Sequence, residues 1–294
     1  MSTLDAAAKP EFNSAVACWL ARCSENIYPQ GNDVGDLALE AGRLEGMFQE
    51  WGFDYASFFS GESTQCIVAV AEKHLVLCFR GTEPSSPRDI YDDLFAYPIQ
   101  PPVTDGMMHA GFWRALHQVW KDNNPAMSWP PKHATQQTGL FSYLKKNRGT
   151  ESRRKLWIAG HSLGGALATT AAARLLGEGL FNQQDIAGVY TFGQPRVGDP
   201  QFAARYPLDS KHFRLMHAND IVTKVPPKSF KKLGQVIAAF LDTPAAHSVL
   251  QSLNYSHVGQ LVMIRDGYEY ILNPSLVQRF RIGLSERLRA LRRG

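Results

Sequence analysis

No apolar run in this sequence approaches the ~20 residues that a membrane-spanning helix needs. No secretory leader is expected either. The best apolar stretch near the start, Ala15 to Ala21, is short and sits inside an amphipathic pattern ending at Tyr28. Cytoplasmic residence is the default expectation, with export by a route that needs no such leader left open. Cysteine is scarce, and the four present, Cys18, Cys23, Cys66 and Cys78, have no Cys-x-x-Cys spacing of the metal-binding kind. No Ser/Gly linker and no internal repeat divides the chain, so residues 1–294 are expected to form a single domain. There is no phosphate-binding glycine loop, and the arginine-rich tail lacks the interleaved aromatics suited to nucleic acid. No metal and no organic cofactor is implied.

What charge there is lies at one end. The formal net charge is +4, yet residues 279–294 alone carry six arginines and one glutamate, leaving the rest of the chain slightly acidic. Phe280, Leu284, Leu288 and Leu291 fall on one face at helical spacing. The segment 278–294 therefore reads as a basic amphipathic helix. It is suited either to an anionic lipid surface or to packing on the domain by its apolar stripe.

Helical periodicity predicts helices over 11–28, 36–50, 109–120 and 136–147. Residues 84–108 hold five prolines and predict a long irregular connection. Gln65–Ala71 and His74–Arg80 read as the arms of a hairpin. One register of that hairpin would set Cys66 opposite Cys78, and free buried thiols are the other reading. Further strands are expected at 155–159, 186–192, 212–216, 258–264 and 268–272. Strands alternating with helices imply an α/β fold with a mostly parallel central sheet flanked by helices.

The most informative segment is Leu156-Trp157-Ile158-Ala159-Gly160-His161-Ser162-Leu163-Gly164-Gly165. An apolar strand stops at Gly160, and an Ala-rich helix follows from Ala166 to Leu176, with Gly177 as its expected stop. Ser162 sits between them at the apex of a sharp turn. Glycines on both sides allow a turn tight enough to expose a hydroxyl beside the N–H groups that open the helix. The plainer alternative is a serine that merely caps the helix. The strand and helix flanks favour a nucleophile. Such a serine needs a base and a carboxylate. Asp220 has the best context, at a strand end on the same sheet edge as Ser162. An Asx-turn role is the alternative there.

Several motifs occur together and in order: Phe79-Arg80-Gly81-Thr82, His109-Ala110-Gly111-Phe112, Gly160-His161-Ser162-Leu163-Gly164-Gly165, Thr191-Phe192-Gly193-Gln194-Pro195-Arg196-Val197-Gly198-Asp199, Asn219-Asp220-Ile221-Val222 and Tyr255-Ser256-His257-Val258-Gly259. In this combination the chain resembles the class 3, fungal-type lipase family of the α/β-hydrolase superfamily. The resemblance implies a nucleophile-elbow serine at Ser162, with Asp220 as the triad carboxylate. It implies an oxyanion hole from Thr82, through side chain and backbone N–H, and from the Leu163 N–H. It also implies a lid over about 84–98, whose plainer alternative is a surface loop. The expected activity is hydrolysis of carboxylic esters, acylglycerols foremost, at a lipid–water interface through an acyl-enzyme. Phospholipase A1 and feruloyl esterase activity occur in the same family.

The triad base departs from the pattern. Only His247 and His257 follow Asp220, and His257 belongs to a motif that is not catalytic in the family. The third member is thus unknown from sequence, with His257 as the fallback. The rival expectation is a lipase-like protein, impaired or truncated, that binds lipid or a protein partner.

Overall fold

The structure, a computed structural model, describes residues 4, 11–30, 36–81, 98–121, 138–149, 153–217, 254–265, 269–275, 278 and 282. Helices α1 (Ser14–Asn26) and α2 (Leu37–Glu50) come first. Each opens on a side-chain cap. The Asn13 carboxamide oxygen accepts from the N–H groups of Ala15 and Val16, and the Asp36 carboxylate accepts from those of Ala38 and Leu39. Then follow β1 (Tyr55–Ser60), β2 (Gln65–Val70), β3 (His74–Phe79), the short β4 (Pro98–Ile99) and β5 (Met108–His109), α3 (Ala110–Trp120) and α4 (Leu140–Asn147). The second half holds β6 (Lys155–His161), α5 (Leu163–Gly177), β7 (Ile186–Phe192), α6 (Pro200–Arg205), β8 (His212–His217), β9 (Gln260–Ile264) and β10 (Tyr270–Leu272).

Eight strands form one sheet in the order β1-β2-β3-β6-β7-β8-β9-β10, while β4 and β5 pair separately. The pairs from β3 through β9 are parallel, and the outer pairs are antiparallel. The central strands are apolar throughout because both faces are covered. Leu75, Leu77, Phe79, Leu156 and Ile158 point to one face, where they meet α3, α4 and α5. Val76, Cys78, Trp157 and Ala159 point to the other, where they meet α1 and α2. This alternation is the period-two signature of a strand, doubled because neither face is wet.

Helix α5 is packed between the sheet and α3, and its residues from Gly164 to Leu175 are buried. That burial accounts for its run of alanines, since small side chains let it seat close on both neighbours. Its far end is pinned by Arg174. The Arg174 guanidinium lies 4.6 Å and 4.4 Å from the ring centres of Trp113 and Trp120 and pairs with Glu178 at 2.7 Å. Glu178 in turn accepts from the Trp120 indole N–H at 3.0 Å.

Some expectations need correction. Gly177 is the last helical residue rather than the stop. The left-handed position that ends α5 belongs to Gly179, with φ 69°. Strand β1 was not expected. Its Tyr-Ala-Ser-Phe-Phe-Ser sequence is only partly buried and lacks clean alternation. The hairpin register pairs Cys66 with Phe79 and Ile67 with Cys78, so the two thiols point to opposite faces of the sheet. All four cysteines are free; Cys18 is exposed and the other three are buried. Burial pushes the Cys66 thiol up and the Cys78 thiol up to about 12. The predicted basic helix over 278–294 lies outside the described residues apart from 278 and 282. The predicted lid over 84–98 lies outside them apart from Pro98.

Candidate active site

Strand β6 ends at His161 and α5 begins at Leu163, so Ser162 alone makes the turn. Its backbone, φ 54° and ψ −124°, is one a side chain rarely adopts, at a cost of about 1–3 kcal/mol. Ser162 holds the N-cap position, but its side chain makes no capping hydrogen bond. A capping serine needs extended backbone geometry. The plain capping role is therefore not what this turn displays.

Neighbouring backbone holds the strain. The Ser162 N–H donates to the Phe192 carbonyl at 2.8 Å, and the Ser162 carbonyl accepts from the Gly165 N–H at 2.9 Å. The flanking glycines permit two close approaches. A Cβ on Gly160 would collide with the Gly164 carbonyl, and a Cβ on Gly164 would stand 2.5 Å from the Phe79 carbonyl oxygen and 2.8 Å from the Arg80 carbonyl carbon. The first turn of α5 thus lies directly on the end of β3. The motif glycines at 160 and 164 are the ones those approaches require.

A second support lies beneath. A Cβ on Gly165 would stand 3.1 Å from the Gln194 Cβ. The Gln194 carboxamide oxygen accepts from the Thr191 hydroxyl at 2.6 Å and lies 3.1 Å from His212 Nε2. His212 Nδ1 is 3.1 Å from the Tyr206 hydroxyl. Thr191, Gln194, Tyr206 and His212 are all buried. Burial first, and the Arg214 charge second, push His212 down to about 3, so its imidazole is neutral. The Thr191–Asp199 motif was visible in the sequence, but its role as a polar buttress under the turn was not.

Of the sequence-predicted site residues, Ser162 and Leu163 stand at the head of α5, and Gly81 reaches the same point from β3. A Cβ on Gly81 would lie 3.3 Å from the Ser162 Cβ. Thr82 and Asp220 fall outside the described residues. Strand β8 ends at His217 on the sheet edge that carries Ser162, since β6, β7 and β8 run parallel.

His257 is placed elsewhere. It precedes β9, which lies three strands from β6, about 14 Å across at the usual strand spacing. The Ser256 N–H donates to the Gly198 carbonyl and the Gly259 N–H to the Asp209 carboxylate, each at 2.6 Å. Those bonds fix the segment where the parallel strands start, whereas Ser162 lies where they finish. The structure does not bring the fallback base to Ser162.

Sequence reasoning also missed the neighbours supplied by the first two helices. The Tyr28 hydroxyl and His161 Nδ1 share a hydrogen bond at 3.0 Å, and Arg80 pairs with the buried Glu40 at 3.3 Å. These partners are far apart in sequence, and no local pattern announces them.

A cleft of about 520 Å³ opens at the far end of α5, lined by Val103, Leu176, Phe181, Phe202 and Tyr206 among others, and includes none of the residues around Ser162. Among the described residues no group of three or more His, Cys, Asp or Glu side chains could hold a metal ion. No described helix is long and apolar enough to cross a membrane.

The family described as Lipase (class 3) matches residues 76–230. A lipase from Rhizopus niveus is 32% identical over 179 residues, covering 60% of this chain and 41% of that protein. A secreted mono- and diacylglycerol lipase A from Penicillium cyclopium is 31% identical over 153 residues, covering 52% of this chain and 43% of that protein. The match thus spans about two fifths of the length of these two relatives. The crystal structure of a lipase from Rhizopus microsporus var. chinensis superimposes with a TM-score of 0.58 at 22% identity, over 93% of this chain and 83% of that one. At that identity the likeness speaks for the fold alone, an α/β-hydrolase sheet.

Proposed function

Because the chain belongs to the class 3 lipase family, we propose that it is a serine carboxylic ester hydrolase with Ser162 as its nucleophile. The observation that carries this reading is the strained Ser162 turn, whose hydroxyl is not spent on capping the helix behind it. The Ser162 hydroxyl attacks the ester carbonyl and gives its proton to a general base oriented by Asp220. The Leu163 N–H, with the N–H and hydroxyl of Thr82, stabilises the tetrahedral oxyanion. The dipole of α5 favours the same negative charge. Collapse releases the alcohol, and water then cleaves the acyl-enzyme.

Acylglycerols are the proposed substrates, in keeping with the mono- and diacylglycerols in the name of the Penicillium relative. The segment over 84–98 as a lid, and the basic helix over 278–294 as a lipid contact, complete the proposal. Cytoplasmic residence is one location and secretion the other, the Penicillium relative being named as secreted. Cell fractionation separates the two.

The test is the initial rate of p-nitrophenyl butyrate hydrolysis, with labelling of Ser162 by an organophosphonate. Ser162→Ala is expected to lower the rate by about 10³-fold or more and to abolish labelling. His257→Ala is expected to keep the wild-type rate, and His247→Ala measured beside it reads the other histidine after Asp220. A wild-type rate no better than Ser162→Ala would overturn the proposal in favour of a lipid-binding relative.

A further inference from the structure

The first two helices lie outside the matched span 76–230, yet Tyr28, two residues past the end of α1, reaches the Ser162 turn. A Cβ built on Gly81 would collide with the Tyr28 hydroxyl and stand 2.6 Å from the His161 carbonyl oxygen and 3.3 Å from the Ser162 Cβ. Four residues from three elements therefore meet at one point. The Tyr28 hydroxyl occupies it, in hydrogen bond with His161 Nδ1 at 3.0 Å.

Tyr28 is itself held from two further directions. Arg43 on α2 donates to the Tyr28 carbonyl at 2.9 Å and to the Asn26 carbonyl at 3.0 Å, fixing the chain as it leaves α1. The Arg80 guanidinium lies 5.8 Å from the centre of the Tyr28 ring, and Arg80 is in turn paired with Glu40. Glu40 is only 1% exposed. A buried carboxylate is costly unless paired, so this pair fixes Arg80, the residue before Gly81, to α2. By contrast, Tyr28 is partly exposed and His161 is exposed, and a hydrogen bond in water adds little to fold stability. So much restraint around so weak a bond makes sense if what matters is where the hydroxyl sits.

We propose that Tyr28 is a positioning residue of the hydrolase site: its hydroxyl, bonded to His161 and packed on Gly81, sets the turn after β3 against Ser162. The inference rests on the ester-hydrolase reading for its catalytic consequence, because Gly81 leads into Thr82. Oxyanion donors displaced by a fraction of an ångström stabilise the transition state less while leaving ground-state binding alone.

The test compares Tyr28→Phe with Tyr190→Phe. The Tyr190 hydroxyl accepts from the Asn13 N–H at 3.3 Å, so its loss loosens the start of the same helix without touching the Ser162 turn. For each variant, kcat, KM and melting temperature are measured, with hydrogen exchange of peptides spanning 78–82 and 160–165. Tyr28→Phe is expected to lower kcat about tenfold with KM and melting temperature unchanged, and to speed exchange in both peptides. Tyr190→Phe is expected to leave all of these as in the wild type. Unchanged exchange in Tyr28→Phe overturns the inference whatever the rate does. Equal acceleration in both variants also overturns it, since that would mean simple docking of α1. A wild-type chain without esterase activity would sink the hydrolase reading, while the exchange data would still decide the placement of Gly81.

Discussion

The outside and the underside of the Ser162 turn are built on opposite terms. Where the strands finish, Ser162 is strained, His161 is exposed and Tyr28 is partly exposed. Beneath the turn, between β7 and β8, His212 is buried with both ring nitrogens in hydrogen-bond reach of Tyr206, Thr191 and Gln194. Both regions are polar. In one the polarity is consumed internally, and in the other it faces outward. Ligands of such sheets bind beyond the carboxyl ends of the strands, and here that edge carries the strain above a buried polar network.

The largest break in that comparison is chemical. Ser162→Ala removes the reactive group and should reduce esterase turnover by at least about three orders of magnitude, while the chain stays folded by circular dichroism. Next comes Gly164→Ala. Its new Cβ meets the Phe79 and Arg80 backbone, which cannot move aside as a flexible side chain would. A loss of about 1–3 kcal/mol in urea unfolding, with most of the activity, is expected. Ser162→Gly should do the reverse to stability, adding up to about 1 kcal/mol by relieving the positive φ while abolishing turnover.

The buried network should show itself in acid. His212 is held neutral, pushed from an ordinary value of 6.5 down to about 3. Between those values the unfolded chain binds a proton that the folded chain refuses, so stability falls as pH drops through that window and is level above it. His212→Asn, which cannot titrate, should melt lower at neutral pH but lose less on acidification. The smallest effect belongs to the thiols. With Cys66 and Cys78 on opposite faces, a reducing agent should leave the melting temperature unchanged, and only Cys18 should react promptly with a thiol reagent in the native state.

How legible these features were depended on how local their causes are. Strands β6 and β7 were readable because both faces are buried, which makes them apolar residue after residue. The Ser162 turn was readable because its glycines sit within two residues of the serine. Strand β1 was not, because partial burial blurs its pattern. The C-terminal stop of α5 fell to Gly179 rather than Gly177, since two nearby glycines look alike until φ is known. The cysteine register was left open because sequence does not reveal how hairpin arms slide. Tyr28 and His161 are 133 positions apart, and only the closed fold brings them together.

The pairing of β3 with β6 has a consequence in time. His74 lies opposite Lys155, so the parallel ladder that sets Gly81 beside Ser162 closes a loop of about 80 residues. Closing so long a loop costs chain entropy before the contacts repay it, so this pairing is expected to follow the local helices and the β1–β3 meander. A newly made or partly refolded chain can therefore hold most of its secondary structure and still be inert toward esters. On the proposed hydrolase reading, esterase activity should therefore appear only after the β3–β6 ladder has closed.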